Sequence, residues 1–141
     1  MLSSKSKKIK KLIRNKDTRG SIVSVVEEKT NNISIINCNS KTIRSNHLHK
    51  KDWHFMYILK GLMEYFFINE NKIFFMKLKK GDVVFTPPKE IHATYFPVKT
   101  VLLVASKNKR DQITYEKDTI RKKFVDFKNL KSIKANAKEI K

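Results

Sequence analysis

The alternation of apolar and polar residues between Gly20 and Ala105 constrains the fold of this chain most strongly. Apolar residues recur there with a period of two or in short runs, which is typical of strands, whereas an amphipathic helix repeats every 3.6 residues. Ile, Val, Phe and Tyr, which favour strands, dominate these runs. The pattern predicts nine strands: Ser21–Val26, Ile33–Asn37, Ile43–His49, Trp53–Lys60, Leu62–Asn69, Lys72–Leu78, Val83–Thr86, His92–Phe96 and Val101–Ala105.

Short turn sequences separate these predicted strands, for instance Lys60-Gly61, Lys80-Gly81-Asp82 and Thr86-Pro87-Pro88. Connections of two to five residues join antiparallel neighbours and leave no room for crossover helices. The sequence therefore predicts an all-β sandwich or barrel. Weaker helical spacing in residues 3–16 and 111–134 predicts short helices or arms outside it.

Length and composition favour one domain without disulfides. A chain of 141 residues fits a single domain. The single cysteine, Cys38, cannot form an intramolecular disulfide, which fits a reducing, cytoplasmic setting. Apolar runs fall short of the roughly 20 residues that span a bilayer, and the charged N-terminus lacks the apolar core of a signal peptide. We therefore expect a cytoplasmic protein without a membrane span.

The net charge of +19 is concentrated at the two ends of the chain. Residues 1–16 carry seven basic side chains and no acid, and residues 107–141 carry twelve basic and five acidic side chains. Such tails can bind nucleic acid or anionic membranes, or they can be a solvated, lysine-rich surface. Interleaved aromatics and arginine clusters are missing from both tails, so we do not expect nucleic acid as a partner.

All four histidines of the chain fall where neighbouring strands can bring them together. His47 and His49 share one face of a strand because side chains two apart point the same way. After a turn, His54 heads the next strand on the side of Met56 and Ile58, and His92 opens a later strand. Three or four imidazoles that converge in this way suit Zn, Fe, Ni, Cu or Mn.

The spacing of these residues resembles the two motifs of the cupin superfamily. The first motif is G-x5-H-x-H-x(3,4)-E-x6-G and the second is G-x5-P-x-G-x2-H-x3-N. The residues at motif positions are His47, His49, His54 and Gly61 in the first, and Gly81, Pro87 and His92 in the second. The resemblance implies a jelly-roll barrel over residues 17–125, between a basic arm (1–16) and a Lys-rich tail (126–141), with His47, His49, His54 and His92 as metal ligands.

Three positions depart from the cupin motifs. His54 replaces the usual glutamate ligand, Lys89 replaces a glycine, and Phe96 replaces the final asparagine. Imidazole brings no negative charge, so the site is predicted to prefer Zn, Fe, Ni or Cu over Mn. Lys89 makes its turn less certain to form because a residue with a Cβ resists positive φ.

Two further segments resemble one group of cupins, those that act on sugar nucleotides. Asp17–Ser21 and Arg44–Lys50 are similar to the D-x-R-G opening and the R-G-x-H-A-H-K segment of the WxcM-like 3,4-ketoisomerases and, more distantly, of dTDP-4-dehydrorhamnose 3,5-epimerase. Residues 106–121 resemble the ending of small cupins associated with surface-polysaccharide genes. The resemblance implies a homodimer that isomerises or epimerises a keto sugar nucleotide, with His47 and His49 as acid and base and Arg44 as a substrate or phosphate contact.

Several residues are further candidates for substrate binding. Lys50 near the mouth suits a diphosphate, although a solvated surface lysine is the alternative. Tyr57 is a candidate acid or a packed core residue, and Glu64 could supplement the site if it faces inward. The histidines could also act without metal, as neutral imidazoles that accept a proton from the carbon next to a carbonyl. No organic cofactor is expected.

Two other function classes fit the same histidines. A metal-dependent dioxygenase or lyase would use open coordination positions on an ion such as Fe. A non-enzymatic cupin would bind a small ligand as a sensor. A homodimer is also predicted from apolar residues that point outward, Phe55, Tyr57 and Leu59, which one sheet leaves uncovered.

Overall fold

The predicted alternation corresponds to β-strands in the computed structural model, which describes residues 2–10 and 12–141, with Leu12 described in its backbone only. The prediction of an all-β chain is confirmed. In chain order the elements are β1 (Lys7–Lys8), β2 (Leu12–Asp17), β3 (Gly20–Ser24), β4 (Asn32–Cys38), β5 (Thr42–His49), β6 (His54–Lys60), β7 (Leu62–Asn69), β8 (Lys72–Lys79), β9 (Val83–Thr86), β10 (His92–Phe96), β11 (Thr100–Ser106), α1 (Gln112–Asp118), β12 (Thr119–Arg121), α2 (Leu130–Asn136) and β13 (Lys138–Glu139).

Two larger sheets and one hairpin organise these strands. The first sheet has the order β1-β9-β6-β11-β4, the second has the order β12-β5-β10-β7-β8-β13, and β2 pairs with β3 alone. Neighbours are antiparallel except β13, which runs parallel to β8. The main hydrophobic core joins side chains of both large sheets, such as Met56 and Ile58 from one and Tyr65 and Phe67 from the other. The two sheets therefore face each other across this core.

Alternation along β6 decides which side chains enter the core. Met56 and Ile58 point inward, as predicted, and His54 shares their side of the strand. Phe55 and Tyr57 point to the outer face, where they pack in a second cluster with Trp53. The histidine-bearing face of β6 is thus the interior face.

Of the two alternatives predicted for residues 3–16, a short helix or an arm, the described residues adopt the arm, because β1 and β2 occupy this segment. β1 extends the first sheet by pairing with the edge strand β9, and Ile9 continues this pairing by donating its N–H to the carbonyl of Val83 at 2.8 Å. Backbone groups left open at a sheet edge favour such strand addition over an isolated short helix. Helix is present in residues 111–134, as α1 and as most of α2, with β12 between them.

The C-terminal residues also pack on the sheets. Ile133 and Ala137 contact the outer face of the second sheet beside Phe66 and Phe75, and β13 extends that sheet at β8. Both basic ends of the chain therefore contribute strands. No helix in the part of the chain described here is long and apolar enough to cross a membrane.

The outward apolar residues of β6 are covered within the chain itself. Phe55 is 6% exposed, and Leu2, Ile9, Val25 and Val26 pack on its cluster. Phe55 and Tyr57 therefore find apolar neighbours within the chain and need no partner subunit to cover them. Large apolar side chains are instead exposed on the β2–β3 hairpin and on β4: Ile13, Ile22, Val23, Ile33 and Ile35.

The homodimer stays a prediction, and it now depends on these exposed residues. β4 is an edge strand whose Ile33 and Ile35 are 65% and 56% exposed, a feature typical of a surface that pairs with another chain. Light scattering at micromolar concentration should give twice the chain mass of 16.6 kDa. Ile35→Lys should lower this mass to that of one chain, and a wild-type protein of 16.6 kDa would contradict the prediction.

Candidate active site

β5 and β10 bring three histidines together between the two sheets. His47 and His49 lie on β5, and His92 on β10 lies directly opposite His47. One ring nitrogen from each of the three lies within 4.8 Å of the others. The ring centroids of His47 are 4.5 Å from His49 and 4.9 Å from His92. We call His47, His49 and His92 the histidine cluster.

A β-bulge in β5 adds an arginine to the same side of the sheet. The pairing of β5 with β10 skips Asn46, so that Arg44 and His47 face the same way although they are three residues apart. Ser45 and Asn46 have φ values of 69° and 58°, which side chains rarely adopt. The Asn46 side chain stabilises this backbone by accepting from the N–H groups of Phe124 and Val125, both at 3.0 Å.

The second motif positions His92 through its own turn. Lys89 has a φ of 65°, so it takes the left-handed conformation that the motif normally gives to glycine, and its N–H donates to the carbonyl of His49. The Nδ1–H of His92 donates to the carbonyl of Glu90 at 3.1 Å. A carbonyl only accepts, so neutral His92 carries its proton on Nδ1 and leaves Nε2 as a lone pair.

A buried network lies beneath His92. The ring of Tyr65 stacks on it at 6.0 Å, and the Tyr65 hydroxyl is 2.7 Å from the hydroxyls of both Ser6 and Thr86. Ser6 also bonds the carboxylate of Glu90 through its N–H and its hydroxyl. The N-terminal arm is therefore tied to the residues that support the site.

His49 is 1% exposed, as is His92. Its Nδ1 lies 3.3 Å from the Thr119 hydroxyl oxygen and 3.8 Å from a carboxylate oxygen of Asp118. Its Nε2 is buried and has no hydrogen-bond partner among the described residues. This nitrogen is therefore the one that is free to hold an ion or a proton.

His54 enters from the facing sheet, lines the same cavity as His47 and His92, and has its ring centroid 4.6 Å from that of His49. Its Nε2 lies 3.0 Å from a carboxylate oxygen of Asp52, whose other oxygen accepts from the N–H of Asn108 at 2.9 Å. His54, His49 and Asp52 form a second group of potential ligands. The four predicted ligands thus fall into two overlapping groups that share His49, and the assignment of His54 as a ligand stays a prediction.

Burial sets the charge state of the cluster. The pKa values of His47, His49 and His92 are each lowered to about 3, chiefly because burial penalises the charged ring and then because the rings would repel one another when charged. All three are thus neutral at pH 7. Burial also raises the pKa of Glu90 to about 7, against the opposing hydrogen bonds from Ser6.

A cavity of about 70 Å³ reaches the cluster between the sheets, and His47 and His92 line it. Its other polar lining residues are Arg44, Ser45, His54, Thr94, Arg110 and Tyr115. The Tyr115 ring lies 5.5 Å from that of His49, and the Arg110 guanidinium lies 5.2 Å from the Tyr115 ring centroid. Arginines therefore sit beside neutral imidazoles.

Of the predicted substrate contacts, only Arg44 lines this cavity. Lys50 is exposed and lies in a separate surface depression with Lys51 and Lys117. Tyr57 packs on the outer face of the first sheet. Glu64 is buried on the outer side of β7, where it pairs with Lys134 at 2.7 Å. The predicted placements of Lys50, Tyr57 and Glu64 in the site are wrong, because strand alternation and the turn after His49 direct these side chains elsewhere.

Four residues of the site were not predicted from the sequence. Thr94 follows His92 by two positions on β10, so strand alternation could have identified it. Arg110, Tyr115 and Thr119 come from the segment around α1, which follows the last strand of the core. Their approach to the cluster depends on the path of this segment, for which the sequence carries no local signal.

Comparisons with known proteins find solved structures with a similar fold. Neither family models nor curated proteins match the chain. A sugar 3,4-ketoisomerase from Thermoanaerobacterium thermosaccharolyticum in complex with TDP matches with a TM-score of 0.69 and 18% identity, over 85% of this chain and 90% of that one. The TDP-quinovose 3,4-ketoisomerase from Campylobacter jejuni matches with a TM-score of 0.70 and 16% identity, over 84% and 94%.

A more distant match is dTDP-4-dehydrorhamnose 3,5-epimerase from Sulfolobus tokodaii, with a TM-score of 0.64 and 11% identity over 80% of this chain and 76% of that one. At such identities these matches show that the fold is shared. The shared fold agrees with the predicted all-β chain.

The charge states at the site predict how stability depends on pH. Between about pH 5 and 6 the three cluster histidines stay neutral in the folded chain but are protonated in the unfolded chain, whose histidine pKa is 6.5. Glu90 acts oppositely, because its pKa is about 7 when folded and 4.5 when unfolded. The unfolded state then binds about two more protons, so the free energy of unfolding should fall by roughly 2–3 kcal/mol per pH unit on acidification.

Urea unfolding of the metal-free protein from pH 7 to pH 5 measures this slope. Glu90→Gln removes the opposing contribution, so its stability should fall more steeply with acidification than that of the wild type. A stability that is constant over this range would show that the histidines are not held neutral.

Proposed function

We propose that this chain is an isomerase or epimerase that acts on a keto sugar nucleotide between the two sheets of a cupin. The observation that carries the proposal is the histidine cluster, three buried neutral imidazoles at a cavity that also carries arginines. The solved structures with this fold, two ketoisomerases and an epimerase by name, support the same reaction type.

The chemistry requires a base that takes the proton next to a carbonyl and a group that stabilises the resulting enolate. His47 and His49 are neutral and adjacent, so we assign this proton to the pair, with His47 facing the cavity. Return of the proton to the former carbonyl carbon, with the hydroxyl proton of the adjacent carbon passing to the former carbonyl oxygen, moves the carbonyl by one carbon. Return of the proton to the opposite face of the original carbon inverts the configuration of that carbon. The pKa of Tyr115 is raised by burial, so its hydroxyl keeps its proton at pH 7 and is able to donate a hydrogen bond to an oxyanion.

The cations near the cavity suit the diphosphate of a nucleotide sugar. Arg44 and Arg110 line the cavity, and the charges of Arg110 and Arg121 contribute to the lowered pKa of His47. Arginine binds phosphate through paired N–H donors. We place the diphosphate beside these residues and the keto group beside His47. The resemblance of residues 106–121 to cupins of polysaccharide genes extends the proposal to surface-polysaccharide synthesis.

Turnover of TDP-4-keto-6-deoxyglucose, the ligand of a ketoisomerase with this fold, tests the proposal. The wild type should convert it to an isomer, which nuclear magnetic resonance can identify. His47→Gln and His49→Gln should each lower kcat by roughly 100-fold or more, the typical contribution of a general base.

Lys72→Gln is the matched control, because Lys72 is exposed on β8, a strand that neighbours neither β5 nor β10. It should leave kcat unchanged. The proposal fails if the wild type converts no keto sugar nucleotide, or if both histidine variants turn over at the rate of this control.

We further propose that the histidine cluster holds a divalent ion. Nε2 of His49 is buried without a partner among the described residues, and His92, whose Nδ1 donates to Glu90, lines a cavity of about 70 Å³ that has room for an ion and one or two waters. An all-nitrogen donor set suits Zn, Fe, Ni or Cu better than Mn. When bound, such an ion would supply Lewis acidity toward a carbonyl oxygen, or open positions for the dioxygenase or lyase chemistry that remains the alternative.

Metal affinity distinguishes the cluster from His54. His92→Ala removes a cluster nitrogen and should weaken Zn binding by more than the roughly 10- to 100-fold typical of an outer partner. His54→Ala should stay within that range, since His54 is engaged by Asp52. Titration of the purified variants with Zn measures both constants. Equal losses in the two variants would show that His54 is a ligand, and no Zn binding by the wild type would refute the site.

A further inference from the structure

Thr119 lies directly opposite His49 where β12 pairs with β5, and nothing in the sequence motifs assigns it a role. We propose that Thr119 is a positioning residue that fixes the proton of His49 on Nδ1 and so presents the bare Nε2 to the histidine cluster. The expected effect of Thr119 on catalysis rests on the proposed function, whereas its effect on the tautomer of His49 does not depend on that function.

The hydroxyl of Thr119 has one proton, and the end of α1 determines where it points. Thr119 is the C-terminal capping residue of α1, and its Oγ1 lies 2.6 Å from the carbonyl of Tyr115, four residues earlier. A carbonyl only accepts, so the hydroxyl proton is donated to Tyr115. The same oxygen lies 3.3 Å from Nδ1 of His49, where it can only accept a hydrogen bond.

Asp118 supports the same tautomer without forming the hydrogen bond. Its two carboxylate oxygens accept from the backbone N–H groups of Lys51 at 2.9 Å and Asp52 at 3.0 Å. It lies 3.8 Å from Nδ1 of His49, beyond hydrogen-bond distance. Its charge still favours a proton on the side of the ring that faces Thr119.

The opposite tautomer would leave two unfavourable contacts. A proton on Nε2 would be a buried donor without a partner among the described residues, and a lone pair on Nδ1 would face the oxygens of Thr119 and Asp118. An unsatisfied buried donor is destabilising, and this selects the tautomer with the proton on Nδ1. His49 is therefore the member of the His47–His49 pair whose acceptor nitrogen is fixed by its surroundings.

Nitrogen-15 nuclear magnetic resonance of the histidine rings reads the tautomer directly. The chain has only four histidines, so each can be assigned by substitution. In the metal-free wild type at pH 7, His49 should show a protonated Nδ1 and a bare Nε2. Thr119→Val keeps the shape and removes the acceptor, so His49 should become a mixture of tautomers. Thr119→Ser should restore the wild-type signals, and His92, held by Glu90, should not change in either variant.

Kinetics separate this role from a merely structural one. Thr119→Val should lower kcat by about 10- to 100-fold with little change in KM, as is typical of outer partners, and Thr119→Ser should recover it. A bare Nδ1 on His49 in the wild type, or an unchanged tautomer in Thr119→Val, would overturn the inference. If the tautomer shifts as expected but the wild type converts no keto sugar nucleotide, the positioning role stands and the proposed function fails.

Discussion

Three imidazole rings share a buried space between two sheets, and burial permits only their neutral form. A neutral imidazole has one donor and one acceptor nitrogen, so a hydrogen-bond partner determines which of the two nitrogens carries the proton. For His92 the partner is the carbonyl of Glu90, and for His49 it is the hydroxyl of Thr119. Both leave Nε2 bare, and the chemistry of the site follows from these lone pairs.

The surrounding structure stabilises this orientation from several distant segments. Ser6 of the N-terminal arm bonds Glu90, and the C-terminal backbone near Val125 holds the bulge at Asn46. α1 ends at Thr119 in the position that meets β5. Both ends of the chain are thus needed to shape a site whose histidines lie between residues 47 and 92. This explains how basic tails with no motif of their own affect the cluster.

Strand alternation could be predicted from the sequence because it depends only on local spacing. It places His54 with Met56 and Ile58, and it also puts Tyr57 on the opposite face, which is why Tyr57 does not belong to the site. The same rule excludes Glu64 from the site, because it lies on the opposite side of β7 from its inward-facing neighbour Tyr65.

What the sequence could not supply depends on contacts between distant segments. The bulge that turns Arg44 toward the cavity needs two residues at positive φ that are not glycine, and Asn46 stabilises them by bonds to residues about 80 positions away. Arg110 and Tyr115 reach the cavity only because the chain folds back after β11. The strand propensity of individual residues does not predict either arrangement.

The central claim is that the histidine cluster removes a proton from a carbon next to a carbonyl. Exchange of this proton with solvent tests the claim most directly. The protein is incubated with TDP-4-keto-6-deoxyglucose in deuterium oxide, and the sugar is examined by nuclear magnetic resonance. The account predicts deuterium at a carbon adjacent to the carbonyl with the wild type, and its loss with His49→Gln. A wild-type protein that binds TDP yet leaves every such carbon undeuterated would contradict it.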